Sequence, residues 1–216
     1  MKVVRRDLAL AAMILIVIWA VFLAGGCMET TVSPVETANG EEAPDLQGEL
    51  QGKIQEVRSN AANLAATIHG LINEERRNNG LNPLQWDPTL ANIALSHSKD
   101  MAVRDYFDHV SPEGDDFADR YEESGYRLET SIGNQVYVGG ENLFLNNVVR
   151  SYAYDQETND IFEYQYNDPD ELARSTVQGW MDSPGHRDNI LTPFTREGIG
   201  IYVTDEGEVY ITENFS

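Results

Sequence analysis

The chain has 216 residues, room for one ordinary domain with appendages, and its hydrophobic content of 41% suits a globular core. With 36 acidic residues against 15 basic, the net charge of -21 repels phosphate backbones and argues against a nucleic-acid partner. Cys27 is the single cysteine, which excludes an intramolecular disulfide.

Residues 1–27 read as a signal or anchor segment, an N-terminal hydrophobic stretch. Lys2, Arg5 and Arg6 precede an unbroken apolar run of 17 residues, Leu8 to Ala24. That run is short for a spanning helix and long for the apolar region of a signal peptide. The leading positive charges orient everything downstream to the outside. Ala24-Gly25-Gly26-Cys27 resembles a lipoprotein cleavage box, with Ala24 where such boxes prefer Leu. An uncleaved helix, a lipidated Cys27 and a secreted protein all remain open, and each makes the domain extracellular or places it on the cell surface. Residues 28–51 then read as an acidic, disordered linker with no base and little that packs.

The folded domain is expected over 52–216. Ile54, Val57, Ala61, Leu64, Ile68 and Leu71 recur at helical spacing and predict an amphipathic helix ending at Asn79-Gly80. His69 falls beside that stripe and is expected on the surface. Asp87-Pro88 opens a second helix, in which Leu90, Ile93, Ala94, His97 and Met101 share a face. That makes His97 a core histidine. His109 follows, beside the turn Ser111-Pro112-Glu113-Gly114, and Asp116 to Glu123 forms a short helix. Gly139-Gly140 sets Glu141 where another backbone can approach closely.

Residues 146–168 read as an acidic, tyrosine-rich insertion without a clear period. A helix from Asp168-Pro169 runs through Trp180 to Ser183-Pro184-Gly185, a turn that carries His186. The chain closes on a hairpin: Ile199, Ile201 and Val203, a turn at 205–208, then Val209, Ile211, Glu213 and Phe215 on one parity.

Four segments, HSKDMAVRDYFDHVSPEG (97–114), GENLF (140–144), WMDSPGHRDNIL (180–191) and GIGIY…VYITENF, follow one another in the order found in the CAP superfamily. The resemblance is greatest to the prokaryotic SCP-like extracellular branch. It implies an α+β fold, a three-layer α-β-α sandwich with a central antiparallel sheet. It also implies a cleft to which His109, Glu141 and His186 contribute. These are candidate ligands for a divalent metal, Zn²⁺ or Mg²⁺, since two imidazoles and a carboxylate leave a fourth position open on zinc. Ser183 stands where eukaryotic members carry a second Glu. Glu213 either faces the cleft and replaces that carboxylate, or lies in solvent at a frayed strand end.

Two function classes follow. The first is a non-enzymatic binding module for a small-molecule, lipid or cell-envelope ligand, tied to the membrane through its N-terminal segment. The second is a metal-dependent hydrolase of peptides or envelope polymers, although HExxH and GxSxG are both absent. A Ser111–His109 pair is the remaining nucleophile reading, against turn formation by the serine. The missing general base favours binding.

Overall fold

The computed structural model describes residues 3–7, 45–126, 130–132 and 134–216. The apolar run from Leu8 to Ala24, Cys27 and most of the acidic linker lie outside these residues. Strand β1 (Val3–Asp7) runs antiparallel to β6 (Val149–Asp155).

Helix α1 (Leu46–Ser59) begins earlier than the hydrophobic stripe predicts, so the linker cannot extend to residue 51. Asp45 supplies the reason: its side chain accepts a hydrogen bond from Gly48 N (2.9 Å), and Leu50 packs against the core. A break at Asn60 separates α1 from α2 (Ala61–Asn78), yet the buried stripe of Ile54, Val57, Leu64, Ile68 and Ile72 continues across it. The Arg76 guanidinium, in the last turn of α2, is buried. It donates to the carbonyls of Asn82, Ile190, Thr192 and Phe194 and so ties α2 to the far end of the chain.

Strand β2 (Gln85–Trp86) leads into α3 (Pro88–Arg104), which Asp87 caps through Thr89 N and Leu90 N. Then come α4 (Phe117–Glu123) with its Asp116–Asp119 capping box, the short strands β3 (Thr130–Ile132) and β4 (Gln135–Tyr137), and β5 (Gly140–Asn147). The tyrosine-rich stretch is a hairpin, β6 (Val149–Asp155) and β7 (Ile161–Tyr166), in which Tyr152 pairs with Tyr164. Its period escapes a sequence reading because small Ser151 and Ala153 are buried while tyrosines hold the opposite parity. Helices α5 (Pro169–Asp182) and α6 (Pro184–Leu191) precede the closing hairpin of β8 (Arg196–Val203) and β9 (Glu208–Phe215).

The central sheet has the order β2-β8-β9-β5. It is antiparallel except for the two-residue β2–β8 pairing, which is parallel. Helix α3 lies on one face, and α1, α2, α5 and α6 cover the other, giving the expected three layers. The α3 face of β8 is bare backbone: a Cβ on Gly198 would meet Ala91 N at 2.1 Å, and one on Gly200 would meet Leu95 N at 1.9 Å. The main core fills the other side, where Ile199, Ile201, Val203, Val209, Ile211 and Phe215 meet α2 and α5. Side chains alternate faces along each strand. Glu141, paired with Asn214, therefore belongs to the α3 side, and Asn142, paired with Glu213, to the α2 side.

Candidate functional site

The site is built on Glu141, a carboxylate with 4% exposure at the start of edge strand β5. Gly139 delivers it there with φ +69, where an added Cβ would stand 3.0 Å from Phe215 O. Glu141 Oε1 accepts from His109 Nδ1 at 2.9 Å, and Oε2 accepts from Arg120 Nη2 at 2.7 Å. Asn214 is read with its amide nitrogen towards Glu141 (3.3 Å) and its oxygen towards Ala94 N (3.3 Å), the orientation that gives both a partner. His97 Nε2 lies 3.9 Å from Oε1 and donates to Asp108 O at 3.0 Å. Burial lowers the pKa of His97, against the pull of Glu141, so its imidazole is neutral in the fold.

His109 rides on a folded loop. Ser111 Oγ accepts from Asp115 N (3.2 Å), and Ser111 N donates to Asp115 O (2.9 Å). The serine thus serves the turn and makes no pair with His109. Because the carboxylate can only accept, His109 Nδ1 carries the proton and Nε2 is its acceptor in the neutral ring. Arg120 also donates to His109 O (3.1 Å) and Asp115 O (3.0 Å), locking α4, the loop and β5 together.

His186, the third residue of α6, comes from the other side of β5. Burial lowers its pKa first, and nearby His109 lowers it further. Its buried Nδ1 has no hydrogen-bond partner among the described residues, and its carbonyl accepts from Asn142 Nδ2 at 3.2 Å. The structure therefore brings His109 and Glu141 into contact and His186 near His109.

Glu213 goes elsewhere. It points to the α2 side of the sheet, is fully buried, and neither lines the cleft nor frays into solvent. The reason is pairing parity: Glu213 is opposite Asn142, one residue out of phase with Glu141. His69 is also not a surface residue, since its ring is half-buried against Glu197 and edge-on to Trp86 at 5.5 Å.

Among the described residues no three of His, Cys, Asp and Glu surround a common point suited to a metal ion. Both Glu141 oxygens already face donors, so a cation would have to displace Arg120 or the His109 proton. The donor set fits a hydrogen-bonded ion-pair network better than a coordination sphere. Arg120 and Asn214 escaped the sequence reading. The register opposite Glu141 is the signal that could have found Asn214; a lone Arg in a seven-residue helix carries none.

Beside His97 and Arg120, between α3 and the 108–115 loop, opens a cavity of about 630 Å³. Thr89, Asn92, Ser96, Ser124 and the carboxylates of Asp100 and Glu123 line it, with Ile93 its apolar member.

A family model described as the cysteine-rich secretory protein family, CAP, matches residues 69–215. The chain is 36% identical to YkwD of Bacillus subtilis (strain 168) over 146 residues, 67% of this chain and 44% of that protein. It is 30% identical over 149 residues to the membrane protein YlbC of the same organism, 68% of this chain and 33% of that one. A crystal structure of an extracellular SCP-domain protein from Bacillus anthracis str. Ames superposes with a TM-score of 0.51 at 29% identity, covering 71% of this chain and 40% of that one. The chain thus spans less than half the length of these relatives.

Proposed function

Since the chain belongs to the cysteine-rich secretory protein (CAP) family, we propose that its folded domain is an extracellular binding module whose cleft takes a neutral or cationic, polar ligand of the cell envelope. One observation carries the reading. The cavity beside the Glu141 network is lined by hydroxyls, amides, carboxylates and the guanidinium groups of Arg104 and Arg120, with Ile93 as its single apolar residue. The net charge of -21 adds a field that disfavours anionic ligands at long range. His97 and Arg120 of that network form part of the cavity wall.

Weighing against the hydrolase alternative, Glu141 is already engaged by His109 and Arg120, and His97 by Asp108 O. The N-terminal apolar run is the proposed link to the membrane, as an uncleaved helix or through a lipid on Cys27. Among the described residues no helix is long and apolar enough to cross a bilayer.

Calorimetric titration with amino-sugar oligomers, neutral sugar oligomers and a fatty acid tests the reading. Saturable binding of a sugar probe is expected, weakened at least about tenfold by Ser96→Leu, which fills the cavity with apolar bulk. Tight fatty-acid binding alone would overturn it. Turnover of a probe after Zn²⁺ is added would replace binding by hydrolysis.

A further inference from the structure

On the side of the sheet away from Glu141 lies a second group of ionisable side chains that the cleft does not use. Glu197 on β8 and Glu213 on β9 are each 0% exposed. Their register, Ile199 opposite Glu213 and Glu197 opposite Phe215, makes them diagonal neighbours on one face, within reach of long side chains. Glu213 Oε2 accepts from Asn142 Nδ2 at 3.1 Å, and Glu197 Oε1 is held by His69 Nδ1. The remaining oxygens, Glu213 Oε1 and Glu197 Oε2, are buried without a donor among the described residues, and the two carboxyl groups stand close enough for a hydrogen bond between them. Such a bond requires a proton, because an ionised carboxylate only accepts.

The surroundings allow one net negative charge and no more. From α2, His69 and Arg76 face the pair, and the Arg76 N–H groups are engaged by backbone carbonyls. From β5 comes the neutral amide of Asn142, itself held by Asn189 of α6 at 2.9 Å. His186 of α6 offers Asn142 only its carbonyl. From β2, Trp86 meets the His69 ring, and α1 and α5 contribute apolar Ile54, Val57, Val177 and Trp180 to the same core. Arg76 balances one carboxylate. A second would leave two like charges in contact inside a dry core, a strongly unfavourable state.

We propose that Glu197 and Glu213 share one proton at neutral pH, and that this proton clasps the β8–β9 hairpin to α2, so that the fold loosens along that seam when the proton leaves. His69, with a side chain 24% exposed, is the member of the cluster that reaches solvent. Burial raises Glu197 from 4.5 to about 7 and Glu213 well above 4.5, each in spite of Arg76. The native state therefore binds more protons than the unfolded chain. Stability from the pair is fully present below pH 4.5 and is lost as the pH rises through about 7.

The test melts the full chain and its Glu213→Gln, Glu197→Gln and His69→Gln variants between pH 5 and 9.5. The wild-type melting temperature is expected to fall by about 5 °C over that range. Glu213→Gln supplies a permanent amide donor to Glu197 and should flatten the profile, whereas His69→Gln should retain the fall. Hydrogen exchange locates the effect: protection of the Ile68 and Ile72 amides in α2 should drop at high pH while Ile93 and Ala94 in α3 keep theirs. If Glu213→Gln does not fold, Glu197→Gln plays the same part, and the wild-type exchange data stand alone. A wild-type profile without a fall, an equal fall in Glu213→Gln and Glu197→Gln, or equal loss of protection in α2 and α3 overturns the clasp.

Discussion

Glu141 is a carboxylate that water scarcely reaches, and donors approach both of its oxygens. The strongest of them is Arg120, whose side chain is 13% exposed and whose Nη2 sits 2.7 Å from Oε2. Removing one partner of a buried ion pair leaves the other charge uncompensated. Arg120→Met should therefore destabilise the domain by about 3 kcal/mol, read as a lower urea midpoint at constant slope. Adding Glu141→Gln to that variant should recover part of the loss, since the orphaned charge disappears. Arg104 is the contrast. It forms a two-pronged contact with Glu113 at 2.6 and 2.7 Å, but both side chains are solvated, so Arg104→Met should leave the midpoint nearly unchanged. Equal losses in the two variants would mean that Glu141 is not held as a charge by Arg120.

Among elements, the seam between α3 and β8 decides where the cleft stands. The helix rests on the strand backbone at Gly198 and Gly200, and Ser98 Oγ donates to Gly200 O at 3.0 Å on the same surface. No side chain could fit there without moving the helix, and α3 carries His97, Asn92 and Ser96 into the site. Gly200→Ala should cost at least about 2 kcal/mol and, because α3 shifts as a body, should weaken ligand binding as well. Gly52 supplies the control, since nothing lies within 4 Å of an added Cβ and the residue sits within α1. There, Ala should be neutral or slightly stabilising through helix propensity. Chemical denaturation of both variants checks the pair of expectations. A tolerated Gly200→Ala would show that α3 has slack against the sheet.

At the scale of the whole molecule the excess of acid dominates. A net charge of -21 on a chain of this size favours solubility but strains the compact state through self-repulsion. Screening shortens the reach of that repulsion to about 10 Å at 0.1 M salt and about 3 Å at 1 M. The melting temperature should accordingly rise with sodium chloride between 10 mM and 1 M at pH 7.5, by several degrees. A flat or falling profile would show that local ion pairs, such as Arg58–Asp205 and Arg150–Glu171, outweigh the net repulsion.

The sequence by itself determined the periodic parts: the α1–α2 stripe, α3 with its Asp87 cap, the β8–β9 hairpin, and the motif order that put His109, Glu141 and His186 into one neighbourhood. These are local or pairwise regularities, and a helix or strand period displays them directly. Tertiary structure decided what depends on pairing and burial. A one-residue phase in the β5–β9 register sends Glu213 away from Glu141 and into contact with Glu197, and no property of either residue announces that phase. His69 changes from an apparent surface residue to a partner of a buried carboxylate because β8 passes beside α2, a contact across 128 positions. Arg120 joins Glu141 across 21 positions through a loop whose fold rests on the Ser111–Asp115 turn. The sheet brings such residues together only after the chain has closed, and burial then sets which of their charges can persist.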